Sequence, residues 1–243
     1  GPGAIFWMWV SALLGMATKF FEGTLAVMYK GKDDKGVAQG GPMFVLTEGI
    51  GRKMKPLAVM FAFCALFSGL PVMQANQLSE SLYSVILEPL GVPESRWVFL
   101  VIGLVIGGIV SLVIFGGIKR ISQVSSKIVP FMVGFYFLMV VGIMVVYHDR
   151  LPSVFEAIFE GAFCWKAGFG AFTAVALTGA RRAMFVNEAG VGTAGMMHGA
   201  SMNAEPVREG LVAMLGPAID SGLVCTLSAI PMIMAGLYNT DSI

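Results

Sequence analysis

The chain has 243 residues, 56% of them hydrophobic and 13% charged, with a mean hydropathy of +0.79; soluble domains carry about 25% charged residues, so the composition is that of a polytopic membrane protein. The net charge of +1 comes without a basic cluster dense enough to track phosphates, which argues against a nucleic-acid partner. The three cysteines (Cys64, Cys164, Cys225) are an odd count without metal-ligand spacing, so neither a disulfide framework nor a zinc site is indicated.

The opening GPGAIFWMW has no basic region ahead of its apolar run and is not a signal peptide. It begins a first predicted transmembrane helix over 4–29, long enough to span with tilt. Trp7 and Trp9 suit an interfacial anchor. Lys19 and Glu22 lie three apart on one face, the spacing of an ion pair near the inner membrane surface. The polar loop 30–55 holds six Lys/Arg; GKDDKG reads as a turn, and Pro42 after two glycines as the start of a short amphipathic helix.

A second helix is expected over 56–85. Its latter half, PVMQANQLSES, places Gln74, Gln77 and Ser81 at i, i+3 and i+7, with Asn76 and Glu80 beside them. This stripe reads equally as a helix leaving the membrane or bonding a neighbour, and as the amides of Gln74 and Asn76 lining a polar cavity. A short loop, 86–96, precedes a third segment over 97–118, a scaffold helix whose Gly103, Gly107 and Gly108 allow close packing. Lys119, Arg120 and Lys127 follow, then a fourth segment over 128–147 with Pro130 near its start. Within 148–170, Phe155, Ile158 and Phe159 recur at helical spacing beside Glu156 and Glu160, the pattern of an amphipathic helix lying on the membrane surface.

The fifth segment, 171–202, differs from the rest. Residues 181–203, RRAMFVNEAGVGTAGMMHGASMN, combine two arginines, a glutamate, two asparagines and a histidine with glycines at 190, 192 and 195. Charged side chains inside a membrane are costly and face the protein interior, and Gly-interrupted backbone at membrane depth must be buried or line a cavity. The reading is a broken helix: one half ends near 185–187, NEAGVG is unwound, and a second half starts at Thr193 as N-cap. Such breaks present carbonyls and N–H groups that together hold a small zwitterion or ion. A cytoplasmic Gly-rich loop after an unbroken helix is the alternative. The sixth segment, 211–237, carries Asp220 near its middle and kink-prone Gly216-Pro217 and Pro231. Lys and Arg concentrate in the loops after segments one, three and five, which puts those loops in the cytoplasm.

Five stretches in order carry a family resemblance: GPGAIFWMWVSALLGMATKFFEGTLAVMY, GGPMFVLTEGIG, PVMQANQL, FVNEAGVGTA and PVREGLVAMLGPAIDSGLVCTLSA. Over essentially the whole chain the sequence resembles the alanine/glycine–sodium symporter family, also called amino acid carrier proteins, within the APC superfamily. The resemblance implies an all-α polytopic membrane protein, part of an inverted-repeat LeuT-type transporter core, with about six transmembrane segments of which one is a broken helix. On that reading residues 1–243 are a single transmembrane domain resembling core helices two to seven of a longer protein, with helix one and helices eight to ten outside it. Departures are Val186 where the family motif has Ser, Thr193-Ala194-Gly195 where it has Ser-Ala-Pro, and a His-rich run thinned to His198.

The function implied is sodium-coupled symport of a small neutral amino acid, alanine or glycine, across the plasma (inner) membrane. The expected substrate-binding residues are Gln74, Asn76, Phe185, Asn187, Glu188, Gly190 and Thr193. Phe185 would bound the side-chain pocket, Gln74 and Asn187 would offer hydrogen bonds, and Glu188 would brace the break against Arg181 or Arg182. Partners are the amino acid, a sodium ion and membrane lipid. The sodium ligands of the family lie on helices outside this chain, so none is assigned here, and no other cofactor is expected. A membrane-embedded enzyme is the alternative, but the chain has no HExxH, Gly-x-Ser-x-Gly or cysteine pair to support one. A channel would need a continuous pore lining.

Overall fold

A computed structural model describes residues 1–32, 36–68, 72–163 and 168–236. The chain divides into two compact units, Gly1–Ala65 with Phe137–Ile243, and Leu66–Tyr136. Among the described residues five helical stretches are long and apolar enough to cross a membrane: Ala4–Met28, Arg52–Leu87, Arg96–Ile114, Arg120–Val146 and Pro206–Met234. The expected fifth segment is not one of them. It is divided in two, and its longer piece is diluted by Arg181, Arg182 and Asn187.

In the first unit, α1 (Ala4–Met28) is the hub. It is followed by a two-residue antiparallel ribbon, β1 (Gly31–Lys32) and β2 (Ala38–Gln39), in register Gly31 to Gln39. The predicted GKDDKG turn is closed by this ribbon, and its residues 33–35 lie outside the described residues. Next comes α2 (Pro42–Phe44), with Pro42 in its first turn, which widens into a π-helical turn over Val45–Ile50. The expected single helix over 56–85 corresponds to α3 (Lys55–Ser68) and, in the second unit, α4 (Val72–Leu82), and residues 69–71 between them lie outside the described residues. Also in that unit is α5 (Arg96–Ile114), capped by the Ser95 hydroxyl, which accepts from Trp97 N–H at 3.4 Å. The Tyr83 and Phe99 rings, 5.3 Å apart, tie the π-helical turn after α4 (Tyr83–Leu87) to α5. α5 has no buried residue, and a Cβ at Gly103, Gly107 or Gly108 would meet nothing within 4 Å. Those glycines therefore make no close packing among the described residues. The fourth segment begins earlier than expected: α6 (Gly117–Val146) starts where Gly117 takes φ +73°, so Pro130 lies inside the helix and Arg120 and Lys127 are helical rather than in a loop.

The remaining elements are α7 (Leu151–Ala162), α8 (Phe169–Asn187), α9 (Thr193–Gly199), α10 (Pro206–Ala213), α11 (Leu215–Pro217), a π-helical stretch over Ala218–Val224, and α12 (Cys225–Met234). The π-helical stretch follows the Gly216-Pro217 pair, where proline removes a helical donor. The core of the first unit joins Val154 and Ile158 of α7 to Ile230, Ile233 and Met234 of α12, against Phe6 and Trp9 of α1. Ile158 is fully buried whereas Phe155 and Phe159 are about half exposed, so α7 packs through Val154, Ile158 and Ala162. Trp9 Nε1 donates to Thr226 Oγ1 at 2.7 Å and Trp7 Nε1 to the Ala162 carbonyl at 3.2 Å. The predicted aromatic anchors are thus also hydrogen-bonded struts.

Lipid tails are as apolar as leucine, so helices in a membrane associate by packing, and small residues permit it. A Cβ on Gly23 would lie 2.8 Å from the Ala213 Cβ, and one on Gly179 would lie 2.4 Å from the Ala4 carbonyl oxygen. These two glycines let α10 and α8 lie directly against α1.

Candidate functional site

The helix breaks where NEAGVG stands. The last turn of α8 closes with Glu188 N–H donating to the Met184 carbonyl at 2.9 Å. Glu188 itself takes a left-handed conformation, φ 52°, ψ 21°, and it is the one non-glycine residue with positive φ among those described. Gly190 and Gly192 follow at φ +85° each, and α9 starts at Thr193. A left-handed conformation costs an L-residue about 1–2 kcal/mol, so surrounding bonds must hold it.

Those bonds are present. Asn187 is buried; its Oδ1 accepts from Ala189 N–H at 3.0 Å and its Nδ2 donates to Ser221 Oγ at 3.3 Å. Thr193 Oγ1 donates to Glu188 Oε2 at 2.7 Å, and Gly190 N–H donates to Glu22 Oε1 of α1 at 2.8 Å. The expected bracing of Glu188 by Arg181 or Arg182 is replaced by the Thr193 bond. The left-handed turn carries the Glu188 side chain off the helical repeat that would align it with α8. Nor is Thr193 the N-cap. Gly192 occupies that position without a side-chain cap, and the Thr193 hydroxyl turns back to Glu188.

The face of α1 bearing Gly15, Lys19, Glu22 and Ala26 runs along this break. A Cβ on Gly15 would lie 3.2 Å from Asn187 Nδ2. Lys19 and Glu22 form the ion pair their spacing suggested, at 3.9 Å, and their side chains are only 7% and 17% exposed, inside the protein. A cavity of about 240 Å³ lies alongside, lined by Glu22 and Ala26 of α1, Pro42 and Leu46 of the 42–50 segment, and Gly192 and Gly195. Apart from the Glu22 carboxylate its walls are apolar side chains and glycine backbone.

Of the expected site residues, Asn187, Glu188, Gly190 and Thr193 meet at the break. Phe185, at the end of α8, is 63% exposed and does not line the cavity beside the break. Gln74 and Asn76 are exposed on α4 in the second unit. There Asn76 joins Glu80, Tyr83 and Glu94 around a concavity of about 480 Å³, which Gln74 does not line. Among the described residues no group of acidic, histidine or cysteine side chains is arranged to hold a metal ion.

Beyond α9, Glu209 of α10 is buried and gathers a cluster: His198 Nδ1 lies 2.8 Å from Oε1, Ser201 Oγ donates to Oε2 at 3.0 Å and Asn203 Nδ2 at 3.3 Å. Lys30, just past α1, donates to the Asn203 carbonyl at 2.8 Å. Sequence reading missed this clasp and the role of Glu22. For Glu22 the available signal was an acidic residue inside an otherwise apolar run.

Replacing Asn187 by alanine should leave the Ala189 N–H without an acceptor. It is expected to cost about 1–3 kcal/mol, seen as a lower melting temperature of the detergent-purified protein. Unchanged melting would show that the Ala189 N–H does not depend on this side chain.

A profile described as the sodium:alanine symporter family matches residues 1–243. The chain is 39% identical over 243 residues to a sodium/alanine symporter of Methanococcus maripaludis, covering 98% of this chain and 52% of that protein. It is 37% identical over 243 residues to a putative sodium/proton-dependent alanine carrier of Bacillus subtilis, covering 100% of the chain and 48% of the relative. It is 32% identical over 250 residues to a probable sodium/glutamine symporter of Bacillus subtilis, covering 100% and 49%. The chain thus spans about half the length of the curated relatives it matches.

Proposed function

From the premise that the chain belongs to the sodium:alanine symporter family, a family of transporters and not of enzymes, we propose that it forms part of a multi-pass secondary transporter that couples sodium influx to uptake of a small neutral amino acid across the plasma membrane. The observation that carries this reading is the break at 188–192, where left-handed Glu188, Gly190 and Gly192, at alternate positions, unwind a helix packed against α1. An unwound segment in a membrane helix exposes peptide dipoles that suit a zwitterion and an accompanying cation. Gly190, Glu188 and Thr193 are placed at that break. Phe185, Gln74 and Asn76 would join it only with the remainder of a LeuT-type inverted-repeat core of about six segments from this chain and others beyond it. The clustering of Lys and Arg supports a cytoplasmic position for residues 30–55 and 203–210.

Substrate size is tested by competition. In proteoliposomes of the complete protein, excess unlabelled alanine, glycine and serine should each suppress labelled alanine uptake, and glutamine should not. Suppression by glutamine equal to that by alanine would overturn the small-substrate reading.

A further inference from the structure

Resting on the transporter reading above, we propose that Lys19 and Glu22 form one positioning unit for the break: Glu22 holds the Gly190 N–H, and Lys19 is the counter-charge to the Glu22 carboxylate inside the protein. Glu22 is the one side chain from another helix that bonds a backbone N–H of residues 188–192 among those described. That bond fixes the middle of the break, at a residue held at φ +85°. A carboxylate accepts it about twice as strongly as a neutral group would.

The second Glu22 oxygen, Oε2, is sealed from solvent and has no hydrogen-bond partner. The group beside it is the Lys19 ammonium, at 3.9 Å, on a side chain 7% exposed. A buried charge whose partner is removed is left uncompensated, whereas removing both charges together is tolerated. Asp220, in the π-helical stretch, is a second carboxylate within electrostatic reach of Lys19 and makes no hydrogen bond to the break.

The arrangement separates charge from hydrogen bonding. Glu22→Gln keeps an oxygen acceptor for Gly190 but takes from Lys19 its salt-bridge partner, leaving only the more distant field of Asp220. Lys19→Met leaves Glu22 unpaired. The double variant K19M/E22Q removes both charges of the pair and keeps the acceptor, while K19M/E22L removes both and lacks it.

The experiment makes these four variants in the complete protein, at matched membrane levels, and reads two quantities. The first is the KM and maximal rate of sodium-driven alanine uptake in proteoliposomes. The second is amide hydrogen exchange of residues 188–193 in detergent, which needs no transport. Each single variant should lower the maximal rate about tenfold or more. K19M/E22Q should recover to within about threefold of the unmodified protein. K19M/E22L should remain low, with KM raised and exchange at Gly190 accelerated by about tenfold. Equal rates and equal exchange for the two double variants would overturn the proposal, as would single variants that behave like the unmodified protein. If the unmodified protein takes up no alanine, the transporter reading fails by itself, and the exchange comparison still decides whether Glu22 holds the break.

Discussion

Gly192→Val is expected to abolish uptake by the complete protein, a loss of about hundredfold or more at equal membrane expression. Two independent costs fall on this position. Its φ of +85° is a conformation that β-branched residues essentially do not adopt, and holding it costs about 1–3 kcal/mol. In addition, the first side-chain atom would lie 2.7 Å from Pro42 Cγ and 3.3 Å from the Phe61 ring. Neither neighbour is the loose end of a flexible chain, so the break would have to move away from the 42–50 segment. Gly190→Ala isolates the first cost, because φ is again +85° but nothing lies within 4 Å of the added carbon. Its uptake should fall by about tenfold at most. Labelled-alanine uptake by both variants in proteoliposomes checks the ordering, and Gly192→Val within twofold of the unmodified protein would refute it.

Glu209→Leu should be the most destabilising single change in the clasp beyond α9. The carboxylate is 8% exposed and serves the hydroxyl of Ser201, the amide of Asn203 and the ring of His198. Without it those partly buried groups lose their common partner, and breaking a buried charged cluster costs up to about 3–5 kcal/mol. The damage should spread, because Asn203 also offers its carbonyl to Lys30 at 2.8 Å. α9 would then lose its polar tie to α10. Thermal unfolding in detergent is the measurement. Glu209→Gln, which retains an acceptor oxygen, should lose less than half of what leucine loses, and equal losses would show that volume rather than hydrogen bonding governs the site.

The long apolar runs behind α1 and α5 were legible in the sequence because twenty-odd apolar residues have few other uses. The break was legible for a related reason, since NEAGVG puts glycines and a carboxylate where a lipid-facing helix has no place for them. Partners across the fold were not legible. Lys19 and Glu22 have the i, i+3 spacing of an ordinary surface pair, and only the packing of α8 against α1 shows that they are interior. Glu188 follows Arg181 by two helical turns, so an arginine partner was natural until its positive φ turned it toward Thr193. Pro130 looked like a helix start because proline favours the first turn, yet α6 runs through it from Gly117. Phe185 reads as a pocket wall in a linear motif, but it lies on the exposed side of α8, opposite Ala183 and Asn187.

The most direct test is labelled-alanine uptake into proteoliposomes of the complete protein, with sodium outside and potassium inside, repeated after an ionophore has collapsed the sodium gradient. Saturable accumulation above the external concentration, lost when the gradient collapses and absent in Gly192→Val, is the predicted result. Accumulation indifferent to the sodium gradient, or surviving in Gly192→Val at equal expression, would contradict a sodium-coupled transporter built around the break at 188–192.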